Sequence, residues 1–264
     1  MEPGIMLYIK CRASLEEQIE TLKRVGVRRT FINAGCPNLD EIVQIAREAG
    51  LIFDNFHSDY NGFKGVPFQL ADLCRDSKER ECLLNTHFEN ILSCKKHGVS
   101  TLVVHTPRKV PGFEFNTLCA DGYTAIADFA RKHGVTLAFE NIRHLDLLAK
   151  VFEIVPDGKF CWDIGHWYYR FPEVKMSPMF GNRLVTLHVH DNHLTNDEHL
   201  LPLDGIIDYR NVAKELVDSG FDGTLMLESM YRRDYETAIT YEEYVLRGKQ
   251  AAEKIIGMVE ELRS

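Results

Sequence analysis

Two hydrophobic periods alternate along this chain. Short β-branched or apolar runs fall at roughly 5–9 (IMLYI), 28–33, 51–56, 101–105, 135–140, 159–163, 184–190 and 223–228. Each has the length of a strand buried on both faces. Between them lie amphipathic stretches with helix-end signals. Ser14 opens the first, with Glu17 three residues on as a capping-box pattern, and Gly26 closes it. Asn38 is expected to cap a second that runs to Gly50. A third over 78–97 ends at Gly98 and a fourth over 121–133 at Gly134; later ones cover 144–153, 208–219 and 240–262. Glycine at these ends fits a left-handed cap before the next strand.

Eight strands alternating with helices, with no composition break or Pro/Ser-rich linker, predict an α/β chain folded as one (β/α)8 TIM barrel domain over 1–264. The sixth unit has room only for a short helix between Asp163 and Leu184. A doubly wound open sheet is the competing architecture. That fold more often carries a glycine-rich phosphate loop after its first strand, and KCRAS is not one. The long loops 58–77 and 106–116 leave the C-terminal ends of their strands. A barrel's active site lies there, so both are expected to shape or cover a pocket.

Six of the apolar runs end on a histidine or a carboxylate: His57, His105, Glu140, Asp163, Asp191 and Glu228. Taken singly, each has an ordinary explanation as a core histidine, a helix cap or an Asx turn. Their joint occurrence at strand ends predicts ligands converging on one pocket. Carboxylate plus imidazole suits Mn, Zn, Fe, Co or Mg. In Asp163-Ile-Gly-His166 an acid on the strand is followed by an imidazole on the next turn. In His188-Val189-His190-Asp191, alternation sends both histidines to the same side, so one can bind an ion while the other or Asp191 orients it. Asp197-Glu198-His199 returns a further acid and imidazole on a loop.

Bulk properties narrow the class. Hydrophobic residues at 45% and charged residues at 27% describe an ordinary globular core. No apolar run approaches the roughly 20 residues of a membrane span. MEPGIMLYIKCRAS lacks the features of a signal peptide. The seven cysteines are scattered and form no CxxC pair, which favours reduced thiols and a cytoplasmic location. A net charge of −8 argues against nucleic acid held on a broad basic face, although bound metal would add positive charge.

The motifs FEN (139–141), DIGH (163–166), HVHDN (188–192), DEHLLPLDGIID (197–208) and LES (227–229) resemble those of the xylose isomerase-like TIM-barrel superfamily, most closely its sugar phosphate isomerase/epimerase branch. The resemblance implies a divalent cation (Mn, Zn, Co or Mg) held by Glu140, Asp163, His188 and Glu228, with His166 contacting substrate. It also implies a sugar or sugar-phosphate substrate and an isomerase or epimerase that works by proton transfer next to a carbonyl through an enediolate. Glu140 and Glu228 would be the acid–base pair. His57, His105, His190 and Arg143 are expected to line the substrate pocket, and Arg108, Lys109 and Arg170 are further candidates for a phosphate. Phe53, Phe56, Trp162, Trp167 and Tyr168 are candidate apolar walls. Barrels of this kind often pair, so a homodimer is an expectation too.

The chain also resembles endonuclease IV-type apurinic nucleases of the same superfamily, which hold three zinc ions with nine ligands. Those positions fall on His57, His105, Glu140, Asp163, His166, His188, Asp197, His199 and Glu228. The nuclease's surrounding motifs are absent: the fourth strand continues His-Thr-Pro-Arg and the sixth reads Asp-Ile-Gly-His-Trp. These residues are also compatible with a metal-dependent dehydratase or lyase, and with a catalytically idle barrel that binds a sugar or a protein. Where the family typically has Pro-Gly-x-Gly, this chain has Pro202-Leu203-Asp204-Gly205.

Overall fold

A computed structural model describes residues 1–7, 10–59, 67–107, 109, 111–232 and 234–264. Eight parallel strands alternate with helices in the (β/α)8 TIM-barrel fold: β1 (Glu2–Ile5), β2 (Arg29–Asn33), β3 (Ile52–His57), β4 (Thr101–His105), β5 (Thr136–Glu140), β6 (Lys159–Asp163), β7 (Leu184–His188) and β8 (Thr224–Leu227). The helix ends follow the capping chemistry. Ser14 Oγ accepts from the Glu17 amide, and Gly26, Gly134 and Gly220 close their helices in the left-handed conformation.

Three boundaries differ from expectation. β1 begins at Glu2 rather than near Ile5, through Pro3 and Gly4, which read as breakers in sequence. A side chain at Gly4 would sit 2.6 Å from Thr224 Cγ2, so the close β1–β8 approach needs glycine. Residues 8 and 9 of the expected strand lie outside the described residues. The helix Thr117–His133 starts four residues before its expected beginning because Asn116 caps it, accepting from the Cys119 amide. Asn38 stands at φ 58, left-handed, beside the helix Leu39–Glu48. Between β6 and β7 lie two short helices, Ile164–Arg170 and Ser177–Phe180.

The described residues fall into two compact units. One comprises Met1–Ile32, Asp40–Asp54 and Trp162–Ser264; within it β1 pairs in parallel with β2 and β8, and Met6, Phe31 and Met226 form a buried cluster. The other comprises Asn33–Leu39 and Asn55–Cys161. Within that unit β4 pairs with the end of β3 and with β5, and Val103, Ala138 and Cys161 pack as a layer of small side chains. Near-continuous burial along β4 and β5 matches strands covered on both faces.

Candidate metal centre

In the unit built on Asn55–Cys161, three strands end on potential ligands. The parallel register sets His105 level with Glu140. His57 Nε2 and His105 Nε2 are 3.1 Å apart, and each is 3.3 Å from Glu140 Oε2. His57 Nδ1 lies 2.8 Å from the Ser58 carbonyl oxygen, which can only accept, so Nδ1 carries the hydrogen and Nε2 presents a lone pair. Ligand atoms about 2.05 Å from a tetrahedral ion are separated by about 3.3 Å. The three observed separations match that edge, and His57, His105 and Glu140 are all buried. These three side chains would suit a divalent ion.

The other unit holds two groups. In the first, one ligand atom each from Asp163, His188 and Glu228 lies within 4.8 Å of the others. His188 Nδ1 stands 3.3 Å from Glu228 Oε2, and the Phe31 ring stacks on the His188 imidazole at 4.8 Å and 13°, which fixes the ring plane. Asp163 also has the ordinary role of a helix cap. Its Oδ1 accepts the His166 backbone amide at 2.6 Å, capping the short helix that follows and directing His166 to the same strand end.

The second group is His166, Asp197 and His199. Asp197 Oδ2 is 3.0 Å from His166 Nε2, and Oδ1 is 3.4 Å from His199 Nε2. His199 Nδ1 donates to the Glu228 carbonyl at 2.9 Å, so Nε2 is the nitrogen turned toward Asp197. His199 adopts φ 51, a left-handed conformation that its side-chain contacts hold in place. Burial works against the Asp197 charge, but hydrogen bonds from His166 and His199 together hold its carboxyl far below the usual range. Burial opposes protonation of His199 as well, yet the Asp197 hydrogen bond pushes that histidine up.

His190 belongs beside this second group and not in it. It lies within ligand distance, but its ring stacks on His199 at 3.9 Å and 15°. An imidazole binds an ion in its own ring plane, and two face-stacked rings share no such point. His190 Nε2 instead sits 3.2 Å from Asp163 Oδ1, and the ring fills the space left by Gly165, whose absent Cβ would fall 1.9 Å from Cε1. His190 is fully buried.

Asp191, the strand-end acid with no place in these groups, anchors a loop. Its carboxylate accepts from the backbone amides of Asn192 (2.8 Å), Leu203 (2.9 Å) and Ile207 (3.1 Å). Leu203 occupies a left-handed φ of 74, the conformation for which glycine is ordinarily used, so the Pro-Leu-Asp-Gly departure keeps a glycine-type turn. Among the basic candidates, Lys109 pairs with Asp146 at 2.8 Å and Arg170 lies over the Tyr169 ring. Arg143 is half-buried just after β5, and Arg108 lies outside the described residues. Trp162 and Trp167 pack edge to face at 5.3 Å, both fully buried, and Phe56 meets His97 edge-on; Phe53 is buried and Tyr168 half-buried.

Sequence reasoning missed the partners behind the ligands: Phe31, Gly165, Ser58, His87 and Asn90. The available signal for the last two was a polar pair three residues apart on the face that Leu83, Thr86, Ile91 and Cys94 also bury. All seven cysteines are free thiols, and among the described residues no helix is long and apolar enough to cross a membrane.

Known proteins share this architecture. The D-psicose 3-epimerase of Clostridium cellulolyticum H10, solved with D-tagatose, superposes with a TM-score of 0.72 at 14% identity, covering 99% of both chains. The IolI protein, solved with a zinc atom, gives 0.70 at 16% identity, again covering 99% of both. In sequence the chain is 31% identical over 104 residues to the uncharacterized protein y4fM of Sinorhizobium fredii (strain NBRC 101917 / NGR234). That match covers 35% of this chain and about a third of the relative. The xylose isomerase-like TIM barrel family matches residues 17–255, nearly the whole length, and the chain belongs to that family.

Proposed function

We propose that the protein is a divalent-metal-dependent sugar or sugar-phosphate isomerase or epimerase of the cytoplasm, with Glu140, Asp163, His188 and Glu228 as its metal ligands. The observation that carries this reading is the Asp163–His188–Glu228 group at the ends of three strands, with Asp163 and His188 buried and Glu228 half-buried, held by the Phe31 stack and the Asp163 cap. Its oxygen and imidazole donors suit a divalent ion. The epimerase solved with D-tagatose and the zinc-bearing IolI support a sugar substrate and a metal.

When bound, the ion supplies Lewis acidity to neighbouring sugar oxygens. The protein's part is to move a proton. Glu140 and Glu228 take the α-proton and return it, to the adjacent carbon in an isomerase or to the opposite face in an epimerase. His166, tied to Asp163 and Asp197, is placed to orient a hydroxyl.

A second reading, an endonuclease IV-like phosphodiesterase on abasic DNA, is favoured by one observation. His57, His105 and Glu140 form one ligand group, and His166, Asp197 and His199 form another, besides the Asp163 group. Incubation with a ketose panel in deuterated water tests the first reading: metal-dependent exchange of the α-proton is expected, lost in Glu140→Gln and Glu228→Gln. Elemental analysis separates the two, with about one equivalent for the isomerase and about three zinc ions for the nuclease. Cleavage of abasic duplex with no exchange into any sugar would reverse the ranking.

A further inference from the structure

Behind the His57–His105–Glu140 group lies a closed set of buried hydrogen bonds that neither reading uses. Ser58, next after β3, has its amide bonded to the Val103 carbonyl at 2.9 Å. Its hydroxyl lies 2.7 Å from His87 Nδ1 and accepts from Asn90 Nδ2 at 2.9 Å. Asn90 Nδ2 also reaches Asp59 Oδ2 at 3.3 Å. His87 and Asn90 stand three apart on the helix Lys78–Lys96 and so share its inward face. Ser58, His87 and Asn90 are all within 2% of full burial.

Burial favours one direction. The Ser58 hydroxyl accepts from Asn90, and its own hydrogen has His87 Nδ1 as an acceptor 2.7 Å away; giving it there satisfies the buried hydroxyl and leaves His87 neutral with its own hydrogen on Nε2. Burial, which drives His87 down to about 3, agrees with a neutral ring. The Ser58 peptide is thus held at its amide and at its side chain. Its remaining group, the carbonyl, receives His57 Nδ1–H at 2.8 Å. The orientation of that one carbonyl decides which His57 nitrogen is bare.

We propose that Ser58, His87 and Asn90 are positioning residues that lock His57 in the tautomer with Nε2 bare and aimed at His105 and Glu140. The consequence for metal rests on the second reading above, in which that triad is an ion site; the consequence for tautomer does not. A carbonyl that fixes a ligand histidine is worth about tenfold to a hundredfold in metal affinity.

The test uses the full-length chain, metal-free and after zinc titration. In the metal-free protein, imidazole nitrogen NMR should show His57 as a single Nδ1–H tautomer. Ser58→Ala and His87→Leu should each show a mixture of tautomers and bind zinc about tenfold to a hundredfold more weakly at the site that His57→Ala removes. His87→Asn, whose side-chain oxygen keeps an acceptor near the Nδ1 position, should restore both readouts; a merely space-filling His87 would be served better by leucine. A folded His87→Leu protein with the native tautomer and native zinc affinity overturns the proposal. If that variant does not fold, Ser58→Ala decides on the same two readouts. If His57→Ala leaves the zinc count unchanged, the ion-site reading of the triad fails, and the tautomer result alone decides the positioning role.

Discussion

Replacing Gly165 with alanine puts a methyl carbon 1.9 Å from His190 Cε1 and 2.2 Å from Nδ1, where ordinary contact begins near 3.4 Å. The ring must retreat by about 1.5 Å to restore contact distance. Its far face already touches His199 at 3.9 Å and its edge meets His166, so there is no room to yield. Overpacking of this kind costs about 1–3 kcal/mol, against a helix-propensity gain of up to about 1 kcal/mol for alanine over glycine. His190→Ala alone opens a buried cavity and should cost about 2–4 kcal/mol. In the double variant the methyl enters the cavity, so the two losses should not add; a coupling of about 1–3 kcal/mol is expected. Urea unfolding of the metal-free wild type, both single variants and the double variant measures it directly. Additivity within about 0.5 kcal/mol would show that Gly165 is not there to admit His190.

Other expectations follow from the same geometry. His87 titrates near 3 in the fold against 6.5 ordinarily, so between those values the unfolded chain binds a proton that the native state refuses. Its contribution is present above pH 6.5 and is lost as pH falls toward 3, at about 1.4 kcal/mol per pH unit; His87→Asn should remove that component from the pH profile of urea stability. Asp191→Ala strands three backbone amides and should cost about 2–4 kcal/mol, with faster proteolysis across 200–207 and an unchanged metal content; loss of metal would instead make Asp191 a ligand. Stripping bound metal with a chelator should lower stability by about 2.7 kcal/mol relative to protein held at a hundred times the dissociation constant. An unshifted melting curve on readdition would count against native metal binding.

Local rules make much of this fold legible in the sequence. Seven of eight strands and most helix ends lie close to where alternation and capping residues put them, because buried parallel strands and glycine caps leave marks within a few residues. β1 does not, since the need for Gly4 comes from Thr224 and Met226, more than 200 residues away in sequence. The candidate ligands are legible because strand ends impose a position on a chemically distinctive side chain. Their second partners are not. Phe31 behind His188, Gly165 behind His190 and His87 behind Ser58 are ordinary residues whose roles come from distant contacts. Asp191 carries the ligand signature yet anchors a loop, a distinction that depends on the amides of Leu203 and Ile207, 12 and 16 residues on.

The pairing of β1 with β8 also sets an order of assembly. Glu2 lies opposite Thr224, and the compact unit containing both draws on the first and last parts of the chain. That unit cannot complete its sheet until the chain has been made through Leu227. The unit built on Asn55–Cys161 is almost continuous in sequence, with β4 and β5 in direct register. Short loops close at lower entropic cost than long ones, so this unit is the natural first product of synthesis. During that interval the edge of β1 that meets β8 stays uncovered, which is when a growing chain is most exposed to misassociation.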